Sequence, residues 1–360
     1  MSYELTKKLQ SVEAYDPVSA EYAIHLDANE SFIDIGSDAP EIAEKIANEI
    51  KNVSLNRYPD PKASGPVAAF SEYYGIPTKY ITAGNGSDEL ISLIVENFLE
   101  QGVTLLTLSP DFSMYAFYGS LSELKVHAMP KEDNLTVSIP KIVEFCNNND
   151  VKAVIFSNPC NPTSIGISRE DIIRLVKNLF CLVIVDEAYM DFWDQSVLDA
   201  VSEYDNLIVL KTCSKAMGMA AVRMGFAVAC ENITNALRTV KSPYNTDTIS
   251  QIIAKTVLME KDYLKGCTER IIESRKKLNK ALIEFAADYP KFDKVYESVT
   301  NFVFIKTAAA QEIADKLAER SISVRRFGTA YLRITAGSDS ENEALMKALH
   351  EIAAETSEKA

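Results

Sequence analysis

Four short polar clusters stand where apolar runs give out, and together they hold a lysine amine, carboxylates, amide side chains and a glycine-flanked turn. Asn158-Pro-Cys-Asn-Pro-Thr163 follows the run Val151–Ser157, Asp186-Glu-Ala-Tyr189 follows Leu182–Val185, and Lys211-Thr-Cys-Ser-Lys215 follows Leu207–Leu210. Gly84-Asn-Gly-Ser-Asp88 heads a helical pattern. In open α/β sheets, ligands bind beyond the carboxyl ends of the strands, so clusters in these places share one crevice. A helix that opens there presents free amides to an anion. Taken singly, each cluster has a plainer reading. Proline and asparagine make turns, an aspartate after a strand caps the next element, Gly-Asn-Gly is a tight turn, and one lysine is a solvated side chain. It is the joint arrangement that points to a site.

The elements that position these clusters are legible from periodicity. The runs Val103–Leu108, Val151–Ser157, Leu182–Val185, Leu207–Leu210 and Phe226–Ala229 are largely apolar on consecutive positions, which suits strands buried on both faces of a parallel sheet. Ser168-Arg-Glu-Asp171 is a capping-box pattern opening a helix over Ile172–Asn178. A second helix is expected over Asp88–Gln101, with Gly102 closing it. Beyond about residue 245 a long helical region, Thr248–Phe285, leads to a smaller α+β unit. That unit reads as strand Asn301–Lys306, helix Ala310–Arg320, strands Ile322–Arg326 and Tyr331–Thr335, and a last helix opened by Ser340-Glu-Asn-Glu343. The expected class is α/β, with a mostly parallel central sheet flanked by helices and a smaller α+β domain. Residues 1–30 read as an N-terminal arm, 31–245 as the large domain, and 246–360 as a linking helix and small domain. There are no internal repeats, and no Walker or Gly-x-Gly-x-x-Gly nucleotide loop.

Composition removes several classes of function. The 360 residues are 47% hydrophobic and 24% charged, enough for a sizeable core. Lysine and arginine number 37 against 51 aspartates and glutamates, a net charge of −14. That argues against nucleic acid or anionic lipid as partner, since phosphate backbones are bound through clustered cations. Six scattered cysteines without a Cys-x-x-Cys pair, and three histidines, argue against a metal cluster or disulfide framework and for the reduced thiols of the cytoplasm. The N-terminus lacks the apolar core of a signal peptide, and no apolar run reaches membrane-spanning length.

Further motifs run nearly end to end. They are Leu26-Asp-Ala-Asn-Glu30, Asn56-Arg-Tyr-Pro-Asp60, Gly84–Glu89 and Pro110-Asp-Phe-Ser-Met-Tyr115, then Asn158–Thr163, Asp186–Tyr189, Ser214-Lys215 with Arg223, and Tyr244-Asn245. Thr300-Asn-Phe-Val303 and Tyr331-Leu-Arg-Ile-Thr335 complete the set. On these residues the chain resembles the pyridoxal-phosphate enzymes of the aspartate aminotransferase fold type, fold type I, and among them the histidinol-phosphate aminotransferases. Phosphate-substrate decarboxylases and aromatic aminotransferases share much of the set, so it specifies the cofactor more closely than the substrate.

The resemblance implies a role for each matched residue. Lys215 carries the cofactor's aldehyde and then moves a proton as general base and acid. Asp186 pairs with the pyridine nitrogen, while Asn161 and Tyr189 hydrogen-bond the ring oxygen. The spacings 186 − 161 = 25 and 215 − 186 = 29 each leave room for one helix-and-strand crossover. The cofactor phosphate falls to the amides of Gly86, Ser87 and Asp88, to Ser214 and to Arg223. Tyr58 matches a tyrosine that reaches this phosphate from the neighbouring subunit, which implies a homodimer. Phe112 replaces the family's ring-stacking tyrosine. Arg333, helped by Arg325, Tyr15 and Asn29, matches the substrate contacts. The implied reaction is histidinol phosphate and 2-oxoglutarate to imidazole-acetol phosphate and glutamate, a step of histidine biosynthesis. Two departures stand out: Ser164 replaces a glycine after Asn161-Pro-Thr, and Ala221 replaces one ahead of Arg223. The serine must either take an ordinary conformation or strain the turn.

Overall fold

The computed structural model describes residues 3–6, 8 and 21–357. Tyr15 lies outside the described residues. The described strands form two sheets. β1 (Ile24–Leu26) belongs to the smaller. β2 (Ile81–Asn85), β3 (Thr104–Ser109), β4 (Lys125–Pro130), β5 (Val151–Ser157), β6 (Leu182–Asp186), β7 (Leu207–Thr212) and β8 (Met224–Ala229) make the larger. β9 (Phe292–Val295), β10 (Phe302–Thr307), β11 (Ile322–Phe327) and β12 (Tyr331–Thr335) complete the smaller.

The larger sheet runs β2-β8-β7-β6-β5-β3-β4, parallel from β7 to β4, with β8 antiparallel to both neighbours. Its central strands are buried on both faces, and alternate residues serve opposite cores. Val154, Val183 and Val209 pack with Ile142, Leu175 and Val257. Ile155, Ile184 and Ile208 pack with Leu90, Ile94 and Leu237. A run apolar at every position is the consequence. β4 lies at the sheet edge with several exposed side chains, and so carries no such run. Because β5, β6 and β7 are parallel, the turns that follow them open on one side of the sheet. β2 points the same way, so helix Gly86–Phe98 also begins there.

Local signals decide several boundaries, and packing decides others. Ser168 caps helix Arg169–Asn178, its Oγ accepting the Asp171 N–H at 3.2 Å. The reciprocal box that opens helix Asp339–Ser357 is Ser338 with Glu341, not Ser340 with Glu343. Ser338 Oγ accepts the Glu341 N–H at 3.3 Å, and the Glu341 carboxylate accepts the Ser338 N–H at 2.7 Å. Helix Gly86–Phe98 starts two residues before Asp88 and ends before Gly102, which turns the chain into β3 with φ +78°. The stretch expected as one helix over Thr248–Phe285 is two, Thr248–Leu258 and Lys261–Asp288. Neither Met259 nor Glu260 is a helix breaker. Ala254, Val257 and Leu264 pack in the large-sheet cluster on both sides of the break, and only later does the second helix reach the small-sheet cluster through Leu278, Leu282 and Phe285.

The smaller sheet runs β1-β11-β12-β10-β9. β1 pairs parallel with β11, Ile24 opposite Ile322, which leads residues 27–30 across to the larger sheet's open edge. Among the described residues, no helix is long and apolar enough to cross a membrane.

Candidate active site

The reversal from β7 into antiparallel β8 throws residues 213–223 out beyond the strand ends, and Lys215 rides on this loop. Its Nζ donates to the carbonyl of Ala28 at 2.9 Å. Burial lowers the amine to about 8, Arg333 and then Arg223 push the same way, and Glu30 and Asp186 oppose them. An ordinary lysine holds its proton until about 10.4, so here the neutral amine is a substantial fraction near neutrality.

Asp186 ends β6, buried. Its Oδ1 accepts the Ala188 N–H at 3.1 Å, and its Oδ2 accepts the hydroxyl of Tyr115 at 2.8 Å. Burial pushes the carboxyl up to about 6 against these two hydrogen bonds. A cation or charged N–H seated beside it favours the ionised form. Tyr115, fully buried, is a site residue that sequence reasoning passed over as part of the Pro110–Tyr115 motif. Its signal was local: it stands three residues after Phe112, and its N–H donates to the Phe112 carbonyl at 3.3 Å in the turn that opens helix Met114–Leu121.

Tyr189 and Asn161 link the larger sheet to the smaller. The Tyr189 hydroxyl accepts from Asn29 Nδ2 at 2.9 Å, and burial raises its pKa. Asn29 in turn is held by Thr335 Oγ1, which accepts its N–H at 3.0 Å. Asn161 Oδ1 accepts from Arg333 Nη1 at 2.5 Å, and Arg333 also donates to the carbonyl of Asp27. Arg325 sits opposite Arg333 in the β11–β12 register and lines the same cavity.

An anion cradle forms where helix Gly86–Phe98 begins. Asn85 makes no side-chain cap, so the first amides are left for a ligand. A β-carbon on Gly86 would stand 2.6 Å from Arg223 Nη2, and one on Gly225 would stand 2.3 Å from the amide nitrogen of Ser87. Only glycine lets the guanidinium and β8 approach the helix so closely. Arg223 Nη1 donates to Ser214 Oγ at 3.4 Å. Amides, hydroxyl and guanidinium together are the donor set of a phosphate. The Asp88 carboxylate accepts the Tyr118 hydroxyl at 2.6 Å, leaving its backbone for the cradle.

These groups surround one cavity of about 640 Å³, within the usual range for a small-molecule site. Phe112 forms an aromatic wall, edge-on to Tyr115 at 5.5 Å. A flat aromatic wall, a buried acid, a phosphate cradle and a lysine of lowered pKa fit the chemistry of pyridoxal phosphate. Of the residues expected at the site, Gly86 does not itself line the cavity but packs against Arg223, which does. Tyr58 does not line the cavity: it is exposed and stacked on Tyr244 at 4.5 Å.

The two departures resolve differently. Ser164 takes the strained option, with φ +61°, but its Oγ donates to the carbonyls of Thr163 at 2.6 Å and Glu297 at 3.3 Å. The left-handed conformation costs about 1 kcal/mol, and a hydrogen bond of this kind returns about as much. Ser164→Gly is therefore expected to leave the melting temperature nearly unchanged. Ser164→Ala keeps the strain without the bonds and should lose about 1 kcal/mol; equal melting by both variants would contradict this. Ala221 lines the cavity close to Arg223.

Comparison with known proteins gives one family. The family model for aminotransferase class I and II matches residues 22–349. A histidinol-phosphate aminotransferase of Clostridium novyi is 40% identical over 349 residues, 95% of each chain. One of Clostridium kluyveri is 38% identical over 350 residues, 96% of this chain and 97% of that one. The crystal structure of histidinol-phosphate aminotransferase from Sinorhizobium meliloti in complex with pyridoxal-5'-phosphate superposes with a TM-score of 0.88 at 23% identity, covering 99% of both chains.

Proposed function

The chain belongs to the class I and II aminotransferases, and from that premise we propose that it transfers the amino group of histidinol phosphate to 2-oxoglutarate. The observation that carries the reading is a pair of separate cationic stations around one cavity. The cradle of Gly86–Asp88, Ser214 and Arg223 serves the cofactor phosphate, and Arg333 with Arg325 serves the substrate. A single arginine station suits both half-reactions, since it takes the donor's phosphate and the acceptor's carboxylate in turn. Tyr15 and Asn29 would complete the substrate contacts.

Bound pyridoxal phosphate supplies an aldehyde for the amino group and a ring that accepts the electron pair left when the Cα proton departs. The chain's own residues do the rest. Asp186 would hold the pyridine N–H and favour its charged form, and Phe112 would lie against the ring. Asn161 and Tyr189 would be the hydrogen-bonding groups for its phenolic oxygen. Lys215 Nζ accepts the Cα proton, which its lowered pKa permits near neutral pH.

The same pKa sets a pH dependence. Only the neutral Lys215 amine joins an aldehyde, so capture of pyridoxal phosphate by the cofactor-free protein should speed up with pH and level off above about 8. Below that point the expected slope is about tenfold per pH unit. Stopped-flow absorbance measures it; a plateau reached only near the ordinary lysine value would contradict the assignment.

The proposal extends to a homodimer working in the cytoplasm. Leu55, Tyr58 and Tyr244 form an exposed apolar stretch, and a second copy packed on it would bring Tyr58 to its neighbour's cradle. Sedimentation should give twice the chain mass, and a fully active monomer would sink this part. The reaction itself is tested by mixing the pyridoxal-phosphate-loaded protein with histidinol phosphate, then with 2-oxoglutarate. Pyridoxamine phosphate should form and then be consumed as glutamate appears. Aromatic amino acids acting faster, or carbon dioxide release from threonine phosphate, would move the assignment to another substrate or to a lyase.

A further inference from the structure

Asp111 has no part in the transfer described above, yet it is buried with its charge. Its side chain is 1% exposed and that of Lys131 2%, with 4.0 Å between Oδ2 and Nζ. Apolar side chains of the same volume hold a fold as well as a buried ion pair does, so the pair calls for a use. The Asp111 carboxylate accepts the N–H of Phe112 at 2.8 Å and the hydroxyl of Ser157, with the Ser157 N–H at 3.3 Å from both oxygens. Ser157 Oγ accepts the N–H of Asn161 at 3.0 Å. Phe112 and Asn161 both line the cavity. One carboxylate therefore anchors the backbone of the aromatic wall directly and that of the Asn161 amide through a single hydroxyl. Lys131 closes the frame, donating to the carbonyl of Pro110 at 2.8 Å and to Cys160 Sγ at 2.8 Å. Those are the chain neighbours of Asp111 and Asn161.

We propose that Asp111, charge-balanced by Lys131, is a positioning residue that sets the spacing between Phe112 and Asn161 and so the seating of the pyridoxal ring. The proposal rests on the aminotransferase reading. It concerns the hydrogen-bond acceptor at position 111, not the charge. Lys131 offsets the charge that a carboxylate brings into the interior, at 4.0 Å from its Oδ2.

Two double variants separate these roles without leaving a buried charge unpaired. Asp111→Asn/Lys131→Met keeps an acceptor at position 111, and Asp111→Ala/Lys131→Met removes it. Each is compared with the parent by circular dichroism, by fluorescence titration with pyridoxal phosphate, and by the absorbance of the bound cofactor across pH. The alanine pair should bind about tenfold more weakly, because buried donors lose their acceptor, and should shift the midpoint of the cofactor's absorbance. The asparagine pair should stay within about threefold of the parent. An alanine pair with the parent's affinity and spectrum would overturn the proposal, as would an asparagine pair that fails equally. Should the alanine pair not fold, Ser157→Ala cuts only the Asn161 branch, and an unchanged spectrum there overturns the proposal too. A parent that bound no pyridoxal phosphate would overturn the aminotransferase reading beneath it.

Discussion

Lys215→Ala is expected to slow transamination by about four orders of magnitude, near the upper end for loss of a proton-transferring group. The lost amine is the group proposed to take the Cα proton, and its surroundings lower its pKa. The phosphate cradle is untouched, so the variant should still bind pyridoxal phosphate, now reversibly. Exogenous small amines should restore part of the rate, since the cavity is open to solvent and the missing group is a base. Single-turnover absorbance with histidinol phosphate measures the loss. A residual rate within tenfold of the parent would remove Lys215 from the reaction.

Asp186→Asn is expected to make the protein slower and more stable at once. A fixed charge beside the site of developing charge is commonly worth 10²- to 10³-fold, or about 3–4 kcal/mol of barrier, and that is the expected drop in turnover. Stability moves the other way in the cofactor-free protein. The folded carboxyl holds its proton to about 6, whereas the unfolded one releases it near 3.9. Between those values the folded state binds more protons, so stability falls as pH rises through the window and stays low above it. Removing the ionisable group removes that loss, a gain of about 3 kcal/mol at pH 7. Thermal unfolding of both proteins at pH 4 and pH 7 tests it. The advantage of the variant should appear at pH 7 and shrink at pH 4.

The central strands were legible because their pattern has few alternatives: a run such as Leu182-Val-Ile-Val185 is buried on both faces or misplaced. The polar clusters after those strands were legible for the same reason, since parallel strands send their ends to one side. β2 and β4 were not, the one short and glycine-containing, the other an edge strand with exposed side chains. Local spacing also failed where two answers fit. Ser338 and Ser340 both precede a glutamate at the right distance, and the position of Gly337 against Leu26 and Glu341 belongs to tertiary packing. Tyr115 and Asp111 carry no motif of their own. Their importance lies in what they touch, Asp186 and Ser157, which stand 71 and 46 residues away.

The pairing of β1 with β11 has a consequence for when the protein begins to work. Ala23 donates to Ser321, 298 residues later, and Asp27 is gripped by Arg333, 306 residues on. On a ribosome adding about 10 residues per second, the first strand waits on the order of half a minute for its partner. The phosphate cradle, made from residues 86–223, is synthesised well before that. The segment whose Ala28 carbonyl accepts a hydrogen bond from Lys215 is held in place by β11, near the end of the chain. A chain cut short before β11 would carry the residues of the proposed phosphate cradle but lack Arg325, Arg333 and the strand that holds residues 24–26 in place.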